Sequence, residues 1–374
     1  MNRKIPSVPA DRKAMPLVLF GACDRHNLGD LLFPHIAAAL LAPRTLVVAG
    51  LTERDLTPFG GHRVRAIGEV LREFPGAPVI HVGGELLACD AWEAAVMLLP
   101  PQEAPGVIAQ YDGKAERFEW AAHFLGRRDR APYCLGKSQS GQDGARIFLG
   151  VGGVDLDRRE PALREEVLAK LRAADWVGVR DSLTLAHLSA AGIAATLLPD
   201  PAVLTAELFG ERIRARCDAG EVAAVRAVFP QGYLAVQFAA EHGDDATLAR
   251  MAEGLARQAA GRGVVFFRAG AAPWHDDIEA YRRLAVRLPG TRLFETLDIW
   301  DICALLAASA AFCGTSLHGR IVAEAFGVPV LERIVPVGPK LAAWRDTWAG
   351  CDTAEVFRAA FAEMTIIKPA FGNT

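Results

Sequence analysis

The sequence predicts an α/β protein made of two doubly wound domains, and three observations carry that prediction. The chain has 374 residues, too many for one ordinary core, and 51% of them are hydrophobic, enough to build two. Short apolar runs of strand length alternate with helical periodicities from residue 15 to residue 331, the β-loop-α-β order of a parallel sheet. A domain boundary falls near residues 199–208. It divides the chain into an N-terminal domain at 16–205 and a C-terminal domain at 206–345, with a disordered tail at 1–15 and a C-terminal segment at 346–374.

Residues 15–20 form a short apolar strand ending at Gly21. A polar loop follows, and 31–41 reads as an amphipathic helix that accepts Pro34 in its first turn. Asp30 stands where an N-cap belongs. A capping carboxylate disfavours a phosphate at that helix start, so the loop suits sugar hydroxyls, with His26 and Asn27 as partners, or a hinge-facing wall. The next strand is 45–49. Residues 61–74 read as a helix and 77–82 as a strand. Gly83-Gly84 then lets the backbone approach a ligand or a neighbouring loop.

Residues 100–144 break the pattern with paired prolines, a charged run at 127–130 and scattered glycines. They read as an insertion or an acceptor-side flap. Their aromatics and imidazole, Tyr111, Trp120, Tyr133 and His123, serve either as sugar platforms or as anchors of a long loop. The sheet resumes with a strand at 147–151, a helix at 161–173 and a strand at 176–179. Arg180 follows directly, at the carboxyl end of a strand, where ligands of open α/β sheets gather. Its guanidinium is a fork for a carboxylate or phosphate, or a partner for Asp181 or Asp200. Asp181 or Ser182 caps the next helix.

After a linker helix at 210–228, the second domain alternates strands at 232–238, 263–267, 292–294 and 310–313 with helices at 244–258, 278–287 and 299–307. Gln237, Arg268, His275 and Asp277 follow strands and so face the same cleft. Asp276-Asp277 reads as helix capping rather than a metal site, because no partner carboxylates are suitably spaced. Lys340 reads as a surface cation, and 341–349 packs back towards the first domain.

The most informative stretch is 311–331. A short buried strand ends in Gly314-Thr315-Ser316, which is turn and N-cap chemistry. Ile321, Val322, Ala325 and Phe326 recur at helical spacing, Gly327 ends the helix, and Pro329 stands beyond it. Thr315, Ser316, His318 and Arg320 therefore surround a helix N-terminus, whose free N–H groups favour an anion.

The pattern S-L-H-G-x-I-x-A-x-A-x-G-x-P at 316–329 resembles the C-terminal signature of the polysaccharide pyruvyl transferase family. A second resemblance is V-R-D-S-x-x-x-x-x-L with G-I and D-P-A over 179–202, and a third is N-L-G-D at 27–30. Together they cover most of 16–345. The resemblance implies two Rossmann-like domains facing a cleft, the glycosyltransferase-B arrangement, with the acceptor on the N-terminal side and the donor on the C-terminal side. It implies transfer of a pyruvyl group from phosphoenolpyruvate to a sugar hydroxyl pair of a polysaccharide or its lipid-linked precursor, with phosphoenolpyruvate as co-substrate and no cofactor or metal. His318 is the implied acid or phosphate partner. Arg180, Ser316, Leu317, Arg320, Arg268, Asn27, Asp30, Gly83 and Gly84 are the implied substrate contacts. Several family members carry Arg-Leu-His where this chain has Ser316-Leu317-His318, so that Arg contact is either lost or supplied by Arg320 or Arg268. Two other readings stay open: a nucleotide-sugar glycosyltransferase of the same shape, with Glu324 gripping the ribose, and a non-catalytic sugar-binding or assembly protein.

Composition narrows the partners. A net charge of −3 without a basic run interleaved with aromatics gives no case for nucleic acid. Seven scattered cysteines with no C-x-x-C pair suit reduced thiols and exclude a zinc ribbon. No stretch approaches 18 apolar residues, and the start lacks a signal-peptide core. The expectation is a cytoplasmic enzyme that meets its acceptor at the inner membrane surface.

Overall fold

The computed structural model describes residues 15–137, 143–332 and 334–363. The expected tail, save residue 15, and the end of the C-terminal segment lie outside them. The strands are β1 (Leu17–Phe20), β2 (Leu46–Gly50), β3 (Arg54–Asp55), β4 (Arg63–Ala66), β5 (Val79–Val82), β6 (Arg146–Val151), β7 (Trp176–Val179), β8 (Thr196–Leu197), β9 (Tyr233–Gln237), β10 (Gly263–Phe266), β11 (Arg292–Leu293) and β12 (Ala311–Gly314). The first eight form one sheet in the order β3-β4-β2-β1-β5-β6-β7-β8, and the last four form a second in the order β11-β10-β9-β12. Every pairing is parallel except β3 with β4. Strand order reverses between β1 and β5 in the first sheet and between β9 and β12 in the second. Ligands of doubly wound sheets bind at such reversals, outside the carboxyl ends of the strands. Here loops from both reversals line one cleft.

Helix Leu28–Leu41 lies between the two domains, and this explains a departure from the expected pattern. It begins three residues earlier than predicted, with Asn27 as N-cap accepting from the N–H groups of Gly29 and Asp30. Asp30 is therefore a first-turn residue rather than the cap. The helix is also buried on most of its circumference instead of one stripe. Leu28, Leu31, Leu32 and Phe33 share one apolar core with Val203, Leu204, Phe267, Ile299, Trp300, Phe312 and Ile321, drawn from both domains. A continuous apolar interface of this kind holds two domains in a fixed relation.

Other differences have local causes. The helix expected at 61–74 divides into strand β4 and helix Ile67–Glu73, because Arg63-Val64-Arg65-Ala66 alternates at strand period. The linker helix is two, Thr205–Cys217 and Gly220–Val228. The stretch 100–144 contains helices Ala104–Tyr111 and Arg117–Leu125, beside helix Ala91–Met97, with residues 138–142 outside the described set. Tyr111 and Trp120 pack with Trp92 and Phe118 in a small apolar cluster, Tyr133 is buried, and His123 is exposed on the surface. None of these four lines the cleft; Tyr111, Trp120 and Tyr133 pack into the domain as anchors, and His123 stays on the surface. The C-terminal segment forms helices Pro339–Trp348 and Thr353–Glu363, and the first does return to the N-terminal domain: Trp348 donates to the Arg180 carbonyl at 2.8 Å.

Three histidines are held neutral, His81 in the interior and the half-buried His35 and His275. His81 stacks on Phe148 at 3.8 Å, and its Nε2 accepts from the Leu135 N–H. Burial lowers its pKa to about 3, and likewise lowers His275 to about 3 and His35 to about 4. In the unfolded chain imidazoles titrate near ~6.5. The unfolded state therefore takes up protons first as pH falls. Stability contributed by these groups is fully present above about pH 6.5 and declines toward pH 4, by about 1.4 kcal/mol per pH unit for each histidine. Urea denaturation midpoints are expected to be flat from pH 7 to 8 and to fall steeply below 6.5. A flat profile down to pH 4.5 would mean that these imidazoles protonate in the folded state.

Candidate active site

The cleft encloses about 460 Å³ and is lined by residues from both domains. That volume suits a small-molecule site. One wall comes from the first sheet's reversal: Arg25, Asn27 and Asp30 after β1, and Gly84, Glu85 and Cys89 after β5. The opposite wall comes from the second: Gln237, Ala239 and Glu241 at and after β9, and Thr315 to His318 after β12. Arg180 and Lys340 also reach it.

Arg180 is 3% exposed and clamped by two carboxylates, with Glu85 at 2.6 Å and Asp200 at 2.9 Å. Against the cost of burial, the Arg180 and Lys340 charges hold the Glu85 carboxyl below its usual range. Asp200 is fully buried. Its carboxyl too is lowered despite burial, by His318 and Arg180. His318 Nε2 lies 3.3 Å from Asp200 Oδ2, within ion-pair reach although off hydrogen-bond geometry. These four side chains form a continuous line, Glu85–Arg180–Asp200–His318, that crosses from the first domain to the second. The His318 ring stands edge-on to Phe33 at 5.1 Å and covers Gly29, where an added Cβ would meet Nδ1 at 2.1 Å. Glycine at position 29 is what allows the second domain's histidine to seat against the first domain.

The helix after β12 spans Leu317–Ala325. Its N-cap is Ser316, which accepts from the Gly319 N–H. Gln237 Oε1 accepts from the Ser316 N–H at 2.8 Å, and Gln237 Nε2 donates to Asp276. Asp276 also accepts from the N–H groups of Ala269 and Gly270, and burial pushes its pKa up to about 7 against the pull of these donors. The next two N–H groups, those of Leu317 and His318, have no partner among the described residues. They sit at the positive end of a helix and face the cleft, the arrangement that binds an anion.

A family model described as polysaccharide pyruvyl transferase matches residues 27–331. The chain belongs to that family. No curated protein matches the chain by sequence. Among solved structures, UDP-N-acetylglucosamine 2-epimerase from Rickettsia bellii aligns over 95% of this chain and 95% of its own, at 10% identity and a TM-score of 0.53. UDP-GlcNAc 2-epimerase from Neisseria meningitidis bound to UDP-GlcNAc aligns over 94% and 91%, at 13% identity and a TM-score of 0.42. E. coli ADP-heptose lps heptosyltransferase II aligns over 84% and 83%, at 14% identity and a TM-score of 0.35. The likeness is one of fold: this polysaccharide pyruvyl transferase family member has the glycosyltransferase-B-like architecture of two facing α/β domains.

Within this family member, the residues singled out from sequence separate into two groups. Asn27, Asp30, Gly84, Arg180, Ser316, Leu317 and His318 line the cleft. Gly83, Arg320 and Arg268 do not. Gly83 has a positive φ of 57°, and a Cβ there would strike the Phe33 ring at 2.2 Å, so it serves packing rather than backbone approach to a ligand. Arg320 is turned away and held by Glu324 and Glu332 at 2.7 and 2.6 Å. Glu324, the proposed ribose grip, is thereby also outside the cleft. Arg268 lies beside His26 and Asp276, with its Nε buried and unbonded among the described residues. The replacement for the motif arginine is thus neither Arg320 nor Arg268 in this arrangement.

His26 is a strut between the domains: its Nε2 meets the Leu297 carbonyl at 2.7 Å, and Nδ1 accepts from the Ala271 N–H. Asp277 caps helix Ile278–Arg287, as expected, while His275 and Gln237 reach the cleft. Arg25 and Glu85 were not among the sequence candidates, and Lys340, read as a surface cation, reaches the cleft. Arg25 is buried, 3.6 Å from Asp30, and its guanidinium lies 5.3 Å from the Tyr133 ring centroid. No acid lies within ion-pair distance of Lys340 among the described residues. Among the described residues no group of three His, Cys, Asp or Glu is arranged to hold a metal, and no helix is long and apolar enough to cross a membrane.

Proposed function

We propose that this cleft transfers the pyruvyl group of phosphoenolpyruvate to two hydroxyls of a saccharide, forming a cyclic ketal and releasing phosphate. The observation that carries this reading is the meeting, at one place, of the unpartnered N–H groups of Leu317 and His318 with the cations Arg180, Arg25 and Lys340. A donor bearing a carboxylate and a phosphate needs several such contacts, and fixing both of its ends is a large part of catalysis in group transfer. Family membership supports the reaction class.

In this reading His318 gives a proton to the methylene carbon of the enol, leaving an oxocarbenium-like carbon. A sugar hydroxyl adds there and its proton returns to His318. The C–O bond to phosphate then breaks with its electron pair on phosphate, and the second hydroxyl adds to the carbon so exposed, its proton going to the departing phosphate as the ketal closes. Asp200 orients His318 and offsets the charge of its imidazolium. Arg180 and the helix start hold the donor's anionic ends.

The test is a thermal-shift titration with phosphoenolpyruvate, run beside UDP. The wild-type protein is expected to be stabilised by phosphoenolpyruvate. Arg180→Ala is expected to weaken that response at least tenfold, since a charge-assisted contact contributes about 1.5–3 kcal/mol. An unchanged donor response in a folded Arg180→Ala protein removes Arg180 from the donor site. A response to UDP alone overturns the donor.

A further inference from the structure

We propose that Trp274 is a stacking platform for a pyranose ring of the acceptor, at the rim of the cleft. This rests on the reading that the cleft takes a saccharide. Trp274 lines the cleft and is 44% exposed, while Trp92, the ring it packs against, is buried. Its backbone has a φ of 64°, in the left-handed region that a bulky side chain rarely adopts. Such conformations persist where the surrounding structure imposes them, and they concentrate at ligand sites.

The imposing structure is visible. The His275 N–H bonds the Ala272 carbonyl, the Asp276 N–H bonds the Gly270 carbonyl, and the Asp276 carboxylate binds the Ala269 and Gly270 N–H groups. The Ala240 N–H bonds the His275 carbonyl at 2.7 Å. The loop is also tied to the other domain, through Asn27 paired with Gly270 and His26 bonded to Ala271. An exposed indole on such a braced turn is a rigid surface. Packing against Trp92 covers only part of it, and 44% of the residue stays open to the cleft.

The neighbourhood has the chemistry of a sugar site. From the first domain, the buried Trp92 meets Trp274 edge-on at 6.2 Å. The residue after Trp92 is Glu93, which pairs with Arg159 at 2.7 Å, and both line the cleft. Glu241 lines it on the Trp274 side, next to the Ala240 that bonds His275. Carboxylates and a guanidinium around an exposed indole match a pyranose: the ring face is C–H-rich, and the edge carries hydroxyls that donate to carboxylates. A phosphate or nucleotide diphosphate is disfavoured beside Glu93, Asp155 and Glu241. The anionic donor and the neutral acceptor are thus assigned to different parts of one cleft.

The experiment is saturation-transfer NMR on the full chain with phosphoenolpyruvate and a set of methyl pyranosides (galactoside, glucoside and N-acetylmannosaminide). It compares wild type with Trp274→Ala, Trp274→Gly and Trp274→Phe. At least one glycoside is expected to receive saturation from the wild type, with the effect lost in the Ala and Gly variants and kept in Phe. Phosphoenolpyruvate binding is expected to stay within twofold in all of them. Trp274→Gly is expected to melt within about 2 °C of wild type, because the left-handed backbone suits glycine. Glycoside binding that survives in Trp274→Ala overturns the proposal. So does the absence of glycoside binding to the wild type, and in that case phosphoenolpyruvate binding in the same samples still decides the donor reading separately.

Discussion

His318→Ala is expected to lower the rate of pyruvyl transfer by about 10²–10⁴, the range over which positioned acid–base groups act. The substitution leaves the N–H groups of Leu317 and His318 in place at the helix start, so phosphoenolpyruvate binding is expected to change far less than kcat. Phosphate release under saturating donor gives the first quantity, and isothermal titration gives the second. A variant that keeps more than a tenth of the wild-type kcat would remove His318 from the proton-transfer role. The environment makes the residue hard to replace. Its ring fills the space above Gly29 and beside Phe33, and Nε2 faces a carboxylate that no solvent reaches.

Asp200→Ala is expected to be the most destabilising single change at the site. The Asp200 carboxylate receives Arg180 Nη1 and the Ala202 N–H and sits beside His318. Its removal leaves a buried guanidinium with Glu85 alone, and breaking one side of a buried ionic network costs about 3–5 kcal/mol. A fall in melting temperature of about 5–15 °C follows. Asp200→Asn separates stability from mechanism. It preserves shape and retains an acceptor for Ala202, so it is expected to fold, yet it loses the charge that supports an imidazolium. Expected is a drop of about tenfold or more in kcat with a smaller change in donor KM. Equal loss of both parameters, or none, would show that Asp200 acts only as a structural anchor.

Much of this could be read from the residues. The central strands of both sheets follow from short apolar runs, whereas the short strands β3, β4 and β8 did not show, and the 311–331 stretch gave the helix, its Ser316 cap and its stop correctly. Arg180 was recognisable because it directly follows a strand end, and His318 because it stands in the first turn of the helix that follows one. What escaped has a common cause: it depends on contacts distant in sequence. Arg25 sits in a polar loop whose meaning appears only when Tyr133, 108 positions on, slides beneath it. Glu85 looked like part of a glycine turn until Arg180 met it. Helix Leu28–Leu41 read as amphipathic because nothing local reveals that a second domain covers its other face. Arg320 misled for the opposite reason. Its own helix and the following loop supply Glu324 and Glu332, and these nearby acids turn it from the cleft.

The imidazole at 318 and the carboxylate at 200 belong to different halves of the polypeptide. Neither half alone contains the pair, so the proposed chemistry is a property of the seam. A separation of one or two ångströms between the halves is enough to disconnect the acid from its counter-charge while every local structure stays intact. The apolar seam around Leu28–Leu41 is then a timing element as well as a source of stability: the molecule is competent only while its two halves are seated, and a side chain anywhere along that seam can set the rate without touching a substrate.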